Sequence, residues 1–484
     1  MEQKHKRDDL VRVEVSGSAF EGKAVARLEG LVIFVEGGVP GDVLTARITK
    51  VKKNHLEARA ENIETPSPLR TQPRCEHFGT CGGCKWQHVD YRAQLDFKEQ
   101  HVRDAFERIG GFENPSILPI IGSDEIYFYR NKMEYSFSDQ QWLTSPPTRE
   151  PSVETNPHST IDNRQSETFL GLHVPKRYDK ILDINECFLQ SEISNRILHA
   201  VRDYAKRSNR TVYSYSAHTG YFRFLVIREA KRTNELMVNL VTSEDHTDEM
   251  LKFTRELREK VPEITTIVNT INSKKAQVAF GEHEETYFGN GVIHEQLGGL
   301  TFTISAGSFF QTNTVQAERL YEITKSFAEL KGRELVYDLY SGTGSIALFV
   351  SDRARHVVGV ESVESAIGDA ERNARQNGVT NCTFVLGDLK DRLTKDVQWM
   401  ETHQRPDVLI IDPPRSGMHP KVVEEIIRLD VPLIVYVSCN PATQARDVKT
   451  FCENKYGLEK IQPVDMFPHT YHIESVVQLR RGRQ

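Results

Sequence analysis

One cysteine, Cys439, stands where a thiol can act as a nucleophile. It closes the run Ile434-Val435-Tyr436-Val437-Ser438-Cys439-Asn440-Pro441-Ala442-Thr443. The apolar, β-branched stretch predicts a strand, Asn440 is a favoured helix N-cap, and Pro441 suits a first helical turn. A cysteine between a strand's carboxyl end and a helix N-terminus is favoured as a thiolate, because the helix dipole stabilises the anion. Taken alone, a free cysteine is more often a small buried hydrophobe. A second strand end lies upstream in Asp407-Val408-Leu409-Ile410-Ile411-Asp412-Pro413-Pro414-Arg415-Ser416-Gly417. Ligand sites in open α/β sheets form at such carboxyl ends.

A third run, Asp338-Leu339-Tyr340-Ser341-Gly342-Thr343-Gly344-Ser345-Ile346-Ala347, follows a predicted strand at 335–339. Gly342 and Gly344 permit a tight turn and close backbone approach to a ligand. Glu361 ends the next predicted strand roughly 20 residues on, where an acid can hold both ribose hydroxyls. A dinucleotide such as NAD fits the loose Gly342-x-Gly344-x-x-Ala347 pattern. S-adenosylmethionine (SAM) fits better: Asp338, before the glycines, can meet the cationic amino end of the methionine part, and Asp388, after the third strand, can accept from an adenine amino group. Asp412-Pro413-Pro414 also resembles methylases of exocyclic amino groups, which need no nucleophilic cysteine.

Three cysteines, Cys75, Cys81 and Cys84, cluster among glycines, and Cys187 is the best fourth ligand. Four thiolates suit zinc or an iron–sulfur cluster equally by count. Three clustered thiolates plus a remote one suit a cubane better than paired zinc knuckles.

The elements that must position these residues follow from periodicity. Alternating valines at 11, 13 and 15, a strand at 31–35 and another at 43–48, separated by glycine turns, predict a small all-β barrel over 1–66. Residues 67–300 read as a β-rich α+β domain with a helix over 91–109 and a flexible insertion at 139–168. Residues 301–484 alternate strands and helices, the pattern of a parallel, doubly wound sheet. The chain has 484 residues, 38% hydrophobic and 27% charged, with a net charge of −6. That composition is globular, and the global charge does not announce a nucleic-acid binder, although Arg47-Ile48-Thr49-Lys50-Val51-Lys52-Lys53 is a basic run. Seven cysteines and no apolar signal core or membrane-length run predict a cytoplasmic protein without a disulfide framework.

Taken together, Asp338 to Gly344, Asp412-Pro413-Pro414-Arg415-Ser416-Gly417, Ser438-Cys439-Asn440-Pro441 and Asp465-Met466-Phe467-Pro468-His469-Thr470-Tyr471-His472-Ile473-Glu474 resemble the RNA uracil-5-methyltransferase family over nearly the whole chain. Residues 10–63 resemble its TRAM domain, an OB-like RNA-binding barrel, and the Cys-x5-Cys-Gly-Gly-Cys run resembles the iron–sulfur motif of its ribosomal RNA branch. The resemblance implies a class I SAM-dependent methyltransferase with a Rossmann-like sheet. It implies Cys439 as nucleophile toward uracil C6 and Glu474 as the base that removes the C5 proton. SAM contacts fall to Gln311, Tyr340 and Ser345 beside Asp338, Gly342, Gly344, Glu361 and Asp388. Asp412 lies between the two ligands, placed for uracil N3–H or for the cofactor. Phe309 or Phe310 can stack on the base, or both can be core. Cys75, Cys81, Cys84 and Cys187 would hold a [4Fe–4S] cluster. The expected activity is 5-methyluridine formation in 23S ribosomal RNA, a step of rRNA processing, by a monomer. The rivals are a transfer RNA enzyme, a non-catalytic iron–sulfur protein of ribosome assembly, and an NAD-dependent oxidoreductase.

Overall fold

The computed structural model describes residues 5–140, 142, 168–175, 177–214, 217–389, 391 and 404–482. The insertion expected at 139–168 lies almost wholly outside the described residues. No described helix is long and apolar enough to cross a membrane.

Alternation of apolar and polar residues builds the N-terminal barrel. Its strands are Leu10–Ser18, Ala24–Leu28, Leu31–Glu36, Val43–Val51 and His55–Thr65. They close in the spatial order first, second, third, fifth, fourth. Every second side chain points inward, so Val13, Val15, Ala26, Ile33, Val35, Leu44 and Ile48 fill the barrel. In the basic run, Arg47 is paired with Glu61 and Lys50 lies 3.9 Å from Glu57. Buried Asp42 ties the barrel to the following segment by accepting two hydrogen bonds from Arg70, at 2.8 and 2.7 Å.

A second sheet of seven strands follows, in the order His283–Phe288, Thr266–Ile271, Leu236–Thr242, Phe222–Glu229, Lys132–Ser138, Phe169–Val174, Arg177–Asp183. Helices Glu192–Arg207 and Thr247–Lys260 bury Ile197, Val201, Met250 and Phe253 with Phe137, Leu225 and Leu240 of this sheet. A hairpin, Val292–Leu297 with Leu300–Ser305, straddles residue 301. Its Ile293, Phe302 and Ile304 share a core with the C-terminal sheet.

The C-terminal sheet is doubly wound. In chain order its strands are Leu335–Leu339, His356–Glu361, Cys382–Leu386, Val408–Ile411, Leu433–Ser438, Tyr456–Val464 and Glu474–Arg481, and in space they run third, second, first, fourth, fifth, seventh, sixth. The first five are parallel; the four inner ones are near-continuously apolar because they are buried, while the edge strand Cys382–Leu386 is partly exposed. The order reverses beside the first strand, and a crevice opens there at the carboxyl ends. The last strand runs antiparallel between the fifth and sixth.

The helix expected over 91–109 is α-helical only from Tyr91 to Ala105, with Asp90 capping Arg92 N at 2.9 Å. A wider turn, Phe106–Gly110, follows and ends at Gly111 with φ 75°. The helix lies against the loop before the last strand. Lys98 Nζ donates to Asp465 Oδ1 at 2.6 Å, both side chains fully buried, and to Phe467 O at 3.1 Å. The Tyr91 hydroxyl donates to Asp465 Oδ2 at 2.9 Å. The backbone N–H groups of Lys85 and Trp86 both donate to His469 O, at 2.8 and 3.0 Å. Lys98→Met would leave the Asp465 charge buried without its partner, and breaking such a pair costs about 3–5 kcal/mol. Chemical denaturation of this variant is expected to show a loss of that order; unchanged stability would contradict the pair's structural role.

Candidate active site

The crevice is a cavity of about 1330 Å³, and Asp338, Glu361, Asp412, Cys439 and Glu474 all line it. Register explains how two of them meet. The fifth and seventh strands pair antiparallel with Ser438 opposite Ser475. Cys439 directly follows Ser438 and Glu474 directly precedes Ser475, so the pairing brings the two side chains near enough for the Glu474 charge to act on the thiol.

Helix Pro441–Cys452 starts as expected, with Asn440 Oδ1 accepting from Ala442 N at 3.1 Å. The thiol departs from expectation. Burial and then the neighbouring Glu474 push the Cys439 thiol up to about 11, while Arg415 opposes them by charge and hydrogen bonding. Burial, then Asp412, raises the Glu474 carboxyl well above its usual range, against the pull of Arg415. Burial lifts Asp412 to about 7.

At the other end of the cavity, Asp338 Oδ2 accepts from Ala347 N at 3.0 Å, whereas its Oδ1 is buried with no partner among the described residues. Burial first, then Asp412, raises its pKa well above the usual value. A cationic amino group would satisfy both the lone oxygen and the charge. Glu361 Oε2 accepts from Gly342 N at 3.0 Å and its Oε1 from Val363 N at 2.9 Å, which aims the carboxylate along the cavity wall. Gly342 has φ 53° and open space where a Cβ would stand. These groups fit SAM.

Gln311, Tyr340, Gly342 and Ser345 also line the cavity. Gly344 does not. A Cβ there would fall 2.8 Å from the Phe384 ring, so this glycine serves close packing behind the loop. Asp388 is exposed and is not among the lining residues; its charge is felt at the Tyr340 hydroxyl, whose pKa it raises after burial does. Phe309 and Phe310 separate: Phe310 is 6% exposed and belongs to the core, whereas Phe309 is 69% exposed and lines the cavity. Arg415 and His472 also line it, although the sequence alone assigns them no role. Both lie inside motifs already singled out, and that position was the signal.

A second, small cavity is lined by Cys75, Cys81, Cys84 and Cys187 with Phe78, Leu172 and Leu189. Among the described residues, no group of three or more His, Cys, Asp or Glu is arranged to hold one metal ion. Gly83 N lies 3.3 Å from Cys81 Sγ and Gln87 Nε2 3.2 Å from Cys84 Sγ, both as donors. Burial pushes Cys81 and Cys84 up to about 12, with the neighbouring Cys187 adding to it.

Sheet order, glycine turn, lone acid and carboxyl-end cavity together define a class I methyltransferase that uses SAM. A family model described as tRNA (Uracil-5-)-methyltransferase matches residues 223–482, and a TRAM domain model matches residues 7–60. The chain is 45% identical to an RNA methyltransferase of Bacteroides thetaiotaomicron, over 95% of this chain and 99% of that one. It is 42% identical to another from Porphyromonas gingivalis, over 98% and 100%. Among solved structures it is similar to the Pyrococcus abyssi tRNA (uracil-54, C5)-methyltransferase in complex with S-adenosyl-L-homocysteine, with TM-score 0.72, 28% identity, and coverage of 97% of this chain and 100% of that one. The chain belongs to the RNA uracil-5-methyltransferase family. It catalyses SAM-dependent methylation of uracil C5 in RNA.

Proposed function

We propose that this enzyme forms 5-methyluridine in 23S ribosomal RNA, with Cys439 as nucleophile and Glu474 as base. The observation that carries the mechanism is the proximity of Cys439 and Glu474, at the ends of two paired strands, in the cavity that also holds Asp338 and Glu361. C5 of uracil is a weak nucleophile. The Cys439 thiolate forms a bond to C6, and the C5=C6 electron pair moves into an enolate spanning C5, C4 and O4. This is covalent catalysis, which divides one hard step into easier ones. SAM, when bound, supplies an electrophilic methyl group. Asp338 and Glu361 hold its two ends, Gln311, Tyr340 and Ser345 wall it, and Asp412 accepts from uracil N3–H. Once C5 carries both methyl and hydrogen, Glu474 removes the proton, C5=C6 reforms and the Cys439 thiolate leaves. A carboxylate with a raised pKa is the stronger base for that proton. A uridine inside folded RNA must be extruded to reach this cavity, at a cost of a few kcal/mol, and exposed Phe309 offers a face on which the base can stack.

The four thiols are proposed to hold a [4Fe–4S] cluster. Convergence of Cys75, Cys81, Cys84 and Cys187 on one apolar cavity, with N–H donors beside two sulfurs, supports this. Thiolates on a cubane bind four different irons and stand further apart than ligands of a single ion. Its role here is structural, fastening the 75–84 loop to the 184–189 segment. Iron and labile sulfide are expected in near-equal amounts in anaerobically purified protein; zinc without sulfide would contradict the assignment.

The barrel together with the cysteine quartet favours the ribosomal RNA branch. A transfer RNA substrate is the second reading, favoured by the full-length similarity to the P. abyssi enzyme. One chain supplies every group named here, in keeping with a monomer, placed in the cytoplasm. In a deletion strain, 5-methyluridine is expected to vanish from 23S RNA and to return with the intact gene. Loss from transfer RNA instead would overturn the substrate assignment.

A further inference from the structure

Adding the Cys439 thiolate to C6 places negative charge on O4, and a buried oxyanion needs a donor aimed at it before the charge forms. None of the residues given a role above donates there. We propose that His472 is that donor, presenting its Nε2–H to O4 of the substrate uracil in a tautomer fixed by Arg415. The inference rests on the Cys439–C6 reading.

Arg415 Nη2 lies 3.3 Å from His472 Nδ1. A guanidinium only donates, so Nδ1 must be the acceptor, and the single proton of the neutral ring sits on Nε2. The side-chain hydrogen bonding of His472 among the described residues is at Nδ1, and the ring lines the cavity with Cys439, Asp412 and Glu474. Its position is fixed from behind. Thr470 Oγ1 accepts from His472 N at 3.2 Å and donates to Phe467 O at 2.8 Å. The Tyr471 ring lies 4.3 Å away, centroid to centroid, and the Phe467 ring meets His472 edge-on at 6.1 Å. Burial and the cations Arg415, Lys98 and Arg130 hold its pKa down to about 4. The ring therefore stays neutral at working pH and stabilises O4 by a hydrogen bond without transferring a proton. The assignment also gives each reacting edge of the base its own group: Cys439 at C6, Glu474 at C5, His472 at O4 and Asp412 at N3.

The test measures the rate of covalent capture of RNA carrying 5-fluorouridine, with SAM present, under single-turnover conditions. Losing one such donor typically costs about 10²- to 10³-fold, and His472→Phe is expected to slow capture by that amount while SAM binding, measured by calorimetry, is retained. His472→Gln restores an N–H near the same place and is expected to recover most of the loss. Replacing O4 by sulfur, a weaker acceptor, should slow the wild type but add nothing to His472→Phe. Capture by His472→Phe at the wild-type rate, or an equal effect of the sulfur substitution in both proteins, would overturn the proposal while leaving Cys439 in place. No capture by the wild type would instead remove the Cys439–C6 reading on which it rests.

Discussion

Cys439→Ala is expected to leave RNA unmethylated and to capture no 5-fluorouridine RNA. In the proposed mechanism the thiol activates C5, and an alanine methyl group offers no electron pair to C6. Deleting the nucleophile of a covalent enzyme removes most of its rate enhancement, on the order of 10⁶-fold in a well-studied case, so methyl incorporation from labelled SAM should fall below detection. The fold should survive, because Cys439 is half-buried at a strand end and belongs to none of the core clusters. The raised thiol also sets a pH dependence. Only the thiolate attacks, and with the pKa near 11 its fraction grows about tenfold per pH unit below that value. Single-turnover adduct formation should therefore rise with pH from 6 to 9 in the wild type. A flat profile would mean that the thiolate is already formed, and residual methylation by Cys439→Ala would remove it from the nucleophile's role.

Glu474→Gln is expected to fail one step later. The amide cannot accept the C5 proton, so the methylated base stays bonded to Cys439. Turnover should fall by about 10²- to 10⁴-fold, the usual contribution of a positioned base. Unlike the wild type, this variant should accumulate a denaturation-resistant RNA–protein complex on ordinary uridine RNA. Gel electrophoresis after a single turnover distinguishes the outcomes: turnover at the normal rate, or a slow variant without trapped RNA, would contradict the base assignment. Gln is close in volume to Glu and removes a buried acid, so lost activity is not a trivial consequence of unfolding.

Much of this site was legible before any coordinates, because each strand of a doubly wound sheet writes itself as an apolar run and delivers its last residue to one crevice. Asp338, one residue short of its strand's end, and Glu361, Asp412 and Cys439, at or just beyond strand ends, reach the cavity that way. Glu474 needed the motif, since nothing in its local pattern separates it from a surface carboxylate; the antiparallel pairing of Ser438 with Ser475 is what brings it near Cys439. The strand Tyr456–Val464 went unread, its pattern interrupted by Glu459, Lys460 and Pro463. Gly344 and Asp388 show the limit of motif reading. Both sit in the expected loops, yet one faces the Phe384 ring and the other stands exposed away from the lining. Arg415 and His472 were hidden for a different reason. They come from separate connections, and only the folded chain brings their nitrogens to 3.3 Å. The same holds for Lys98, which looks like a surface charge on a polar helix until Asp465 is placed against it.

The most direct test of the mechanism is to identify the bond itself. Wild-type protein incubated with SAM and 5-fluorouridine RNA, then digested and sequenced by mass spectrometry, should carry a methylated fluorouridine on the peptide containing Cys439 and on no other. A nucleotide attached to a different residue, or methyl transfer to unsubstituted RNA in protein whose 5-fluorouridine RNA never becomes attached, would contradict the account.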